Sequence, residues 1–532
     1  MGYDPLKISP FTAKDMLVKH ARELLGADAR LLDASRGGPN WQQRTVQCAW
    51  HVLGMYADYC HGGPRDHPTV RLLGGTDELN HETHFARFVE AVGEERESIC
   101  IGAAYLQAAF KHMAAEIFPD VPIAKLIADF AAAMTGGYYP TPAVLYFVPP
   151  VANRYLAYML DSQLHSESFN IYLSHGATSA FGNVVSTMSR NGLLQPGHKV
   201  AMLHPWYEPM KDLFRLQHHC TVVPLRRNRD TDWAVDEADL ELLDDPEVKL
   251  VVAVSPGNPI DITLDQRLLD RLQAAVQARP ELIVLCDYVY ANFMQEPFDN
   301  ALVRMPRNVI PFYAPSKDFG LAGSRIGVAW IHSDSALDRL LQDMPTEAVA
   351  GYDATYSTRL PQHQPSFYER LTMDSSSVSF SHMAGLSTPH QVLFTLCALF
   401  PLVHPDEARD YFSWLRSELA ERMALLYQGL GMDPGWRGRV PCSNYSTLLL
   451  LDEVAQAHGP ACAEAFEQVG LWAFLQHLAH SRGTIIMPGE VFGDEPRSAR
   501  VCLTSLSKAD AQQVGRNIAE AICDYSLDKK CT

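Results

Sequence analysis

The sequence predicts an α/β fold with a mostly parallel central sheet, helices on both of its faces, a smaller α/β domain and a helical insertion. Short apolar runs alternate with helical stretches from about residue 150 to 375, as in buried parallel strands joined by crossover helices. The helical stretch Asp265–Ala278 is one of these crossovers. The predicted strands are Ile171–Ser174, Lys199–Leu203, Cys220–Leu225, Lys249–Val254, Leu282–Leu285, Val309–Tyr313 and Gly327–Ile331.

Two further regions flank this alternating part. From about residue 80 to 135, apolar residues such as Phe85, Phe88 and Tyr105 recur at helical spacing, which predicts a helical insertion. From about residue 395 onward a second α/β lobe is expected. It begins with a long helix from Gln391 and includes the apolar strand Tyr445–Leu451.

Composition and charge favour an enzyme of the cytoplasm. The 532 residues carry 44 Lys and Arg against 62 Asp and Glu, and the net charge of −18 disfavours nucleic acids and anionic membranes as partners. Eleven scattered cysteines without a C-x-x-C pair suit reduced thiols better than a disulfide framework or a metal site. We expect neither a signal peptide nor a membrane span, because no apolar segment of the required length occurs.

Lys317 lies in a loop of small residues, with Arg325 eight positions after it. Upstream, one apolar run is followed by Asp287 and Tyr290, and an earlier run is followed by Asn258. An amine, a carboxylate, hydrogen-bond donors and a guanidinium are what a cofactor with an aldehyde, a ring nitrogen and a phosphate needs. These residues are therefore the candidate site.

This order of motifs resembles a known family. Asn258-Pro259, Asp287-x-x-Tyr290, Ser316-Lys317 and Arg325-x-Gly327 resemble the fold type I pyridoxal 5'-phosphate (PLP) enzymes of the class I aminotransferase group. Three further segments are similar to the aspartate 4-decarboxylase branch, and with them the resemblance spans nearly the whole chain: Arg36–Asn40, Tyr139-Pro140 and Ala384–Pro389. The resemblance implies PLP as cofactor, an amino acid as substrate, and a homodimer or larger homo-oligomer.

With this resemblance the chain is expected to divide into four parts. They are an N-terminal segment of the small domain (1–80), a helical lobe (81–150), the large PLP-binding domain (151–390) and the C-terminal small domain (391–532).

Gly176, Ala177 and Thr178 stand at a strand-to-helix junction, where backbone amides favour a phosphate. An ordinary turn could have the same residues, but the resemblance assigns them to the PLP phosphate, together with Arg325 and Ser316. Many relatives have a serine where Ala314 stands, so one phosphate contact is expected to be missing.

The resemblance also assigns the remaining cofactor contacts. Lys317 is expected to form the internal aldimine and then to act as the general base. Asp287 is expected to keep the ring nitrogen protonated, while Asn258 and Tyr290 donate to the ring oxygen. The other two contacts are Tyr207, stacked on the ring with Trp206 as its rival, and Tyr139, which reaches the cofactor from a neighbouring subunit.

Three residues bear on the substrate. Arg500 matches the family arginine that binds the α-carboxylate, and Arg36 matches an arginine of the aspartate 4-decarboxylase branch near the substrate side chain. Glu490 stands where that branch has a basic residue; if it faces the pocket, it favours a cationic side chain, and if it faces solvent it has no such effect. Residues 61–76 also differ from the branch.

Three functions follow from these residues. One is a PLP-dependent transferase or lyase that acts through aldimine and quinonoid intermediates, with its pocket remade for another side chain. S-adenosylmethionine is an example of such a substrate. Its expected reaction is γ-elimination or replacement with carbon–carbon bond formation, as in the altemicidin-pathway enzyme that joins it to NAD. The alternative is an aspartate 4-decarboxylase or aspartate aminotransferase. A PLP-binding regulator without activity is disfavoured, because no basic helix-turn-helix segment is visible.

Overall fold

The computed structural model describes residues 10–60, 79–93, 96–137, 139–140, 144–354, 356, 364–377, 383–493 and 497–528. Residues 61–76, noted above, lie outside these ranges. The strands are β1 Leu32–Asp33, β2 Phe169–Ser174, β3 Lys199–His204, β4 Thr221–Asn228, β5 Ala234–Val235, β6 Val248–Val254, β7 Ile283–Asp287, β8 Val309–Tyr313, β9 Gly327–His332, β10 Ser446–Leu450, β11 Thr484–Ile485, β12 Met487–Pro488 and β13 Ser498–Cys502.

Twenty α-helices accompany these strands in the described ranges. They are α1 Pro10–Leu25, α2 Arg44–Cys60, α3 His81–Gly93, α4 Glu97–His112, α5 Ile123–Met134, α6 Val148–Met159, α7 Ala177–Arg190, α8 Glu208–Asp212, α9 Glu237–Leu240, α10 Gln266–Ala278, α11 Ala301–Arg304, α12 Ala336–Gln342, α13 Thr346–Asp353, α14 Phe367–Ser375, α15 Thr388–Val403, α16 Pro405–Leu430, α17 Leu451–Ala457, α18 Pro460–Glu467, α19 Leu471–Arg482 and α20 Lys508–Asp528. No helix in the described part of the chain is both long and apolar enough to cross a bilayer.

The chain forms two compact units. The first unit comprises 1–40, 188–311 and 412–532, and the second comprises 41–187 and 312–411. The four-part division proposed from the sequence divides the chain differently and stays a prediction.

The main sheet of the first unit runs in the order β7-β6-β3-β4-β5. Neighbouring strands are parallel from β7 to β4, and β5 is antiparallel. Helix α10 begins where Asp265 accepts a hydrogen bond of 3.0 Å from the amide of Leu268, an N-cap that the sequence provides directly. Because the carboxyl ends of parallel strands meet at one edge, the segments after β3, β6 and β7 come together there.

A second, antiparallel sheet of the first unit has the order β10-β13-β12. It places Arg500 of β13 opposite Leu448 of β10 and Met487 of β12. A hydrophobic cluster packs below these strands, drawn largely from α1, α16, α19 and α20. This core fixes the strand that carries Arg500.

In the second unit β9 is antiparallel to both β2 and β8. Helices α3 to α5 occupy the stretch for which helical spacing predicts an insertion. Helix α4 lies tightly against α2, since a Cβ on Gly102 would lie 2.5 Å from the carbonyl oxygen of Cys48. The predicted α/β fold class is confirmed.

Candidate active site

The loop that carries Lys317 follows β8 in the second unit, and Lys317 itself is half-buried. The indole nitrogen of Trp41 donates a hydrogen bond of 2.9 Å to the carbonyl oxygen of Lys317. The hydroxyl of Tyr411 donates one of 2.6 Å to the carbonyl oxygen of Asp318. These bonds hold the backbone at the lysine and at the residue that follows it.

A buried polar chain lies behind this loop. Asp318 is fully buried and accepts a hydrogen bond of 2.7 Å from the hydroxyl of Tyr313. Tyr313 in turn contacts the hydroxyl of Tyr155 at 2.9 Å. Burial, followed by the charge of Asp318, raises the pKa of Tyr313 well above its usual range, so this phenol keeps its proton.

The second unit also forms an anion-binding turn. Helix α7 begins at Ala177, so the backbone amides of Ala177 and Thr178 lie at its N-terminal end, before the first hydrogen bonds of the helix. Gly176 has φ of +104°, and a Cβ there would lie 2.4 Å from Nη2 of Arg325. The guanidinium of Arg325 therefore lies against the turn, and the helix end and the cation together suit a phosphate.

Asp287 lies at the edge of the sheet in the first unit, next to the start of the segment that carries Asn258. Asp287 ends β7 and pairs with Val254, the last residue of β6. The amide of Ser255 donates a hydrogen bond of 2.9 Å to the carbonyl oxygen of Asp287. Oδ1 of Asp287 accepts a hydrogen bond of 3.0 Å from the amide of Val289. The carboxylate is thus held at the strand end, where the sequence places it.

Tyr290 is buried beside a second tyrosine, a contact that no motif in the sequence indicates. Its ring centroid lies 4.7 Å from that of Tyr445, whose hydroxyl donates 2.9 Å to the carbonyl oxygen of Gly37. Burial raises the pKa of Tyr290 far above its usual range, although the nearby charge of Arg500 opposes this. Tyr290 is therefore a protonated hydrogen-bond donor.

Arg500 is half-buried on β13 and has three kinds of contact. Nη1 donates a hydrogen bond of 3.0 Å to Oδ1 of Asn258, and Nη2 donates one to the carbonyl oxygen of Ser35. The guanidinium carbon lies 4.7 Å from the ring centroid of Phe492. Its buried Nε has no hydrogen-bond partner among the described residues. The side chain is positioned but retains a donor for an anion.

The segment before Arg36 is held by charge. Lys14 lies 2.6 Å from Asp33, which accepts a hydrogen bond of 3.0 Å from the amide of Ser35. Burial raises the pKa of Asp33, but the hydrogen bonds from Lys14 and Ser35 outweigh it, and the net effect is a lowered pKa. Arg36 itself is exposed.

Glu490 lies in a 3-10 turn, Gly489–Phe492, and is half-buried. This turn packs on the segment after β3, since the amide of Trp206 donates a hydrogen bond of 3.0 Å to the carbonyl oxygen of Phe492. His204 Nε2 contacts the carbonyl oxygen of Gly493 at 2.6 Å. Glu490 is thus two residues before Phe492, whose ring the guanidinium of Arg500 contacts.

Tyr207 and Trp206, the two rivals for the cofactor ring, line one small cavity together with Asn258. The indole nitrogen of Trp206 donates a hydrogen bond of 2.7 Å to the carboxylate of Glu208, which holds this ring in place. Tyr139 is exposed in the second unit, and Ser316 is buried there next to Lys317.

The residues of each unit fit PLP. The second unit holds a half-buried amine and an anion-binding turn. The first unit holds a carboxylate at a strand end, an amide side chain and a buried phenol. A phosphate, an aldehyde and a ring nitrogen are the groups that such donors suit.

The model of the family described as "Aminotransferase class I and II" matches residues 148–518. This range covers more than half of the chain. The chain belongs to the class I and II aminotransferase family. This aminotransferase-family protein is accordingly a PLP-dependent enzyme, and the cofactor predicted from the sequence is confirmed.

Among the relatives of this aminotransferase-family enzyme is a bifunctional aspartate aminotransferase and L-aspartate β-decarboxylase of a Pseudomonas species. The two are 32% identical over 517 residues, which is 96% of this chain and 94% of the relative. Solved structures share the fold. A single mutant of the Thermus thermophilus aspartate aminotransferase gives a TM-score of 0.58 at 14% identity and covers 98% of this chain and 100% of its own.

The aspartate aminotransferase of Thermotoga maritima gives 0.56 at 13% identity, with 97% of each chain covered. None of the similar proteins named here supports the narrower expectation of an altemicidin-type enzyme.

No motif in the sequence indicates the residues that hold the candidate segments of each unit in place. These include Trp41, Tyr411, Tyr445 and the buried pair Asp261–Arg437, whose carboxylate and guanidinium meet at 2.7 and 2.8 Å. The only local signal was the proximity of Asp261 to Asn258 and of Asp318 to Lys317 in the sequence. Their partners lie far away along the chain and leave no motif.

Proposed function

We propose that this enzyme acts on L-aspartate, by transamination or by releasing the 4-carboxylate as CO2 to leave alanine. The observation that carries the proposal is the match to the bifunctional aspartate enzyme over 96% of this chain. Two arginines suit a substrate with two carboxylates. We assign Arg500 to the α-carboxylate and Arg36 to the side chain.

PLP, when bound, supplies an electron sink for a bond at the substrate Cα. We propose that Lys317 attaches the cofactor aldehyde and moves the proton at Cα. Asp287 holds a proton on the ring nitrogen, and Tyr290 donates to the ring oxygen. Gly176 and Arg325 bind the phosphate.

The remaining contacts are proposed on the same basis. Asn258 donates to the ring oxygen, and its Oδ1 is already engaged by Arg500, which leaves its NH2 group for this bond. Tyr207 stacks on the ring, because Trp206 is held by Glu208. Ala177, Thr178 and Ser316 add phosphate contacts. We also propose a homodimer or larger homo-oligomer in which Tyr139 reaches the partner's cofactor.

A second candidate rests on Glu490. This acidic side chain is half-buried and lies two residues before Phe492, whose ring contacts Arg500. A carboxylate there favours a substrate with a cationic side chain over a substrate with a second carboxylate. An amino acid such as S-adenosylmethionine, which loses its γ-substituent, meets that requirement.

Incubation of the purified holoenzyme with each amino acid separates the two candidates. With L-aspartate, the first predicts CO2 and alanine, or oxaloacetate when a 2-oxo acid is added as acceptor. With S-adenosylmethionine, the second predicts release of methylthioadenosine and no consumption of aspartate. Consumption of neither substrate contradicts both, and Lys317→Ala is the inactive control.

Glu490→Arg tests the residue itself, with Glu490→Gln as the matched control for loss of charge. If Glu490 sets the preference, the arginine variant gains activity toward aspartate relative to S-adenosylmethionine, and the glutamine variant lies between. An unchanged ratio in both variants removes the argument for a cationic substrate.

A further inference from the structure

Two cysteines of the first unit lie in contact, and neither is among the residues assigned to the cofactor. Sγ of Cys462, in the first turn of α18, is 3.1 Å from Sγ of Cys523, near the end of α20, and 61 residues separate them in the sequence. Among the described residues, neither cysteine forms a disulfide bond. Their separation is only about 1 Å longer than a disulfide bond.

Packing and charge hold the two thiols at this distance. Cys462 is 4% exposed and belongs to the main hydrophobic cluster of the unit, with Phe466 one turn further along α18. Cys523 is half-buried at the edge of the same cluster. The next residue, Asp524, is anchored to α19 through Arg482 and His477, both at 3.1 Å.

We propose that Cys462 and Cys523 form an oxidative modification site, in which a peroxide converts the two thiols to an intramolecular disulfide. Cys523 is reached first, because it is the more exposed thiol. One oxygen of the peroxide is transferred to its sulfur, giving a sulfenic acid and one water. The sulfur of Cys462 then displaces the hydroxyl group, its proton leaves with that group as a second water, and the sulfur–sulfur bond forms.

The roles of the two cysteines follow from their surroundings. Burial, followed by the contact with Cys523, raises the pKa of the Cys462 thiol to about 12, so Cys462 stays protonated at neutral pH. A protonated, buried thiol reacts slowly with peroxide but can still resolve a sulfenic acid that touches it. Cys462 is therefore the resolving thiol.

The disulfide closes a loop that contains α19, β11, β12 and β13. Closing a long loop lowers the entropy of the unfolded chain and so raises the stability of the folded one. Because the sulfurs are already in contact, the folded backbone needs little rearrangement. We expect the melting temperature to rise by about 5 °C.

The full-length holoenzyme is treated with hydrogen peroxide in small molar excess, alkylated with N-ethylmaleimide and digested without reductant. Mass spectrometry should find a cross-linked Cys462–Cys523 peptide, about 2 Da lighter than the two reduced peptides together and cleaved by dithiothreitol. Cys462→Ser and Cys523→Ser should each lose both the cross-link and the rise in melting temperature.

Cys100→Ser is the matched control, because Cys100 is exposed and should leave both results unchanged. Recovery of Cys462 and Cys523 as alkylated peptides, after exposed thiols have been oxidised, overturns the proposal. So does a cross-link of either cysteine to any other residue in place of its neighbour.

Discussion

Nη1 of Arg500 donates a hydrogen bond of 3.0 Å to Oδ1 of Asn258. The bond joins β13, which carries the proposed carboxylate-binding arginine, to the loop after β6, which carries a proposed cofactor contact. Because an amide oxygen only accepts, this bond also fixes the NH2 group of Asn258 as the donor that remains. The proposed substrate contact and the proposed cofactor contact are thereby joined through one side-chain pair.

Arg500→Lys should lower kcat/KM for the amino acid about 100-fold, because lysine cannot form the planar two-point contact with a carboxylate. Steady-state kinetics and the visible absorbance of bound PLP are measured together. The absorbance should persist. Arg439→Lys, at an exposed arginine paired with Asp232, is the control and should behave as wild type. An unchanged kcat/KM in Arg500→Lys contradicts the assignment.

Gly320→Ala should lower the free energy of unfolding by about 2–4 kcal/mol and should also reduce enzyme activity relative to wild type. Gly320 has φ of +70°, and a Cβ there would lie 1.8 Å from the carbonyl oxygen of Trp41, whose side chain holds Lys317. Gly323→Ala is the matched control, since nothing lies within 4 Å of its Cβ. Urea denaturation measures both. Equal stability of the two variants would show that Trp41 can move at no cost.

Arg437→Met should cost about 3–5 kcal/mol of unfolding free energy, because Asp261 is then left as a buried charge without its cation. The side chains of Asp261 and Arg437 are 0% and 3% exposed. Asp261→Asn combined with Arg437→Met should recover part of the loss. Denaturant titration of the single and double variants gives the coupling energy. A coupling near zero would mean that the pair does not hold the Asn258 loop.

Stability at acid pH should depend on Asp33. Its pKa in the folded protein is lowered from the ordinary value of 3.8, so its contribution is fully present above pH 3.8 and is lost as pH falls through the lowered pKa. Asp33→Asn should therefore show a shallower fall in melting temperature below about pH 4 than wild type. Circular dichroism melts across this range measure it. Identical slopes in the two proteins would contradict the Lys14–Asp33 contact.

Much of this enzyme could be predicted from its sequence because the signals are local. The strand that ends in Asp287, the Asp265 N-cap of α10 and the glycine before α7 each act through neighbours a few residues away. The order of Asn258, Asp287, Lys317 and Arg325 was sufficient to predict the family and the cofactor, since each follows or precedes a strand whose apolar run is visible.

Only the tertiary structure revealed which groups hold those residues. Trp41 reaches Lys317 across 276 residues, Arg437 reaches Asp261 across 176, and Cys462 meets Cys523 across 61. Such pairs leave no periodicity or motif, because their geometry arises when distant segments pack into one core. The sequence by itself therefore determined the fold class and the cofactor, while packing decided how rigidly the site is held and which thiols meet.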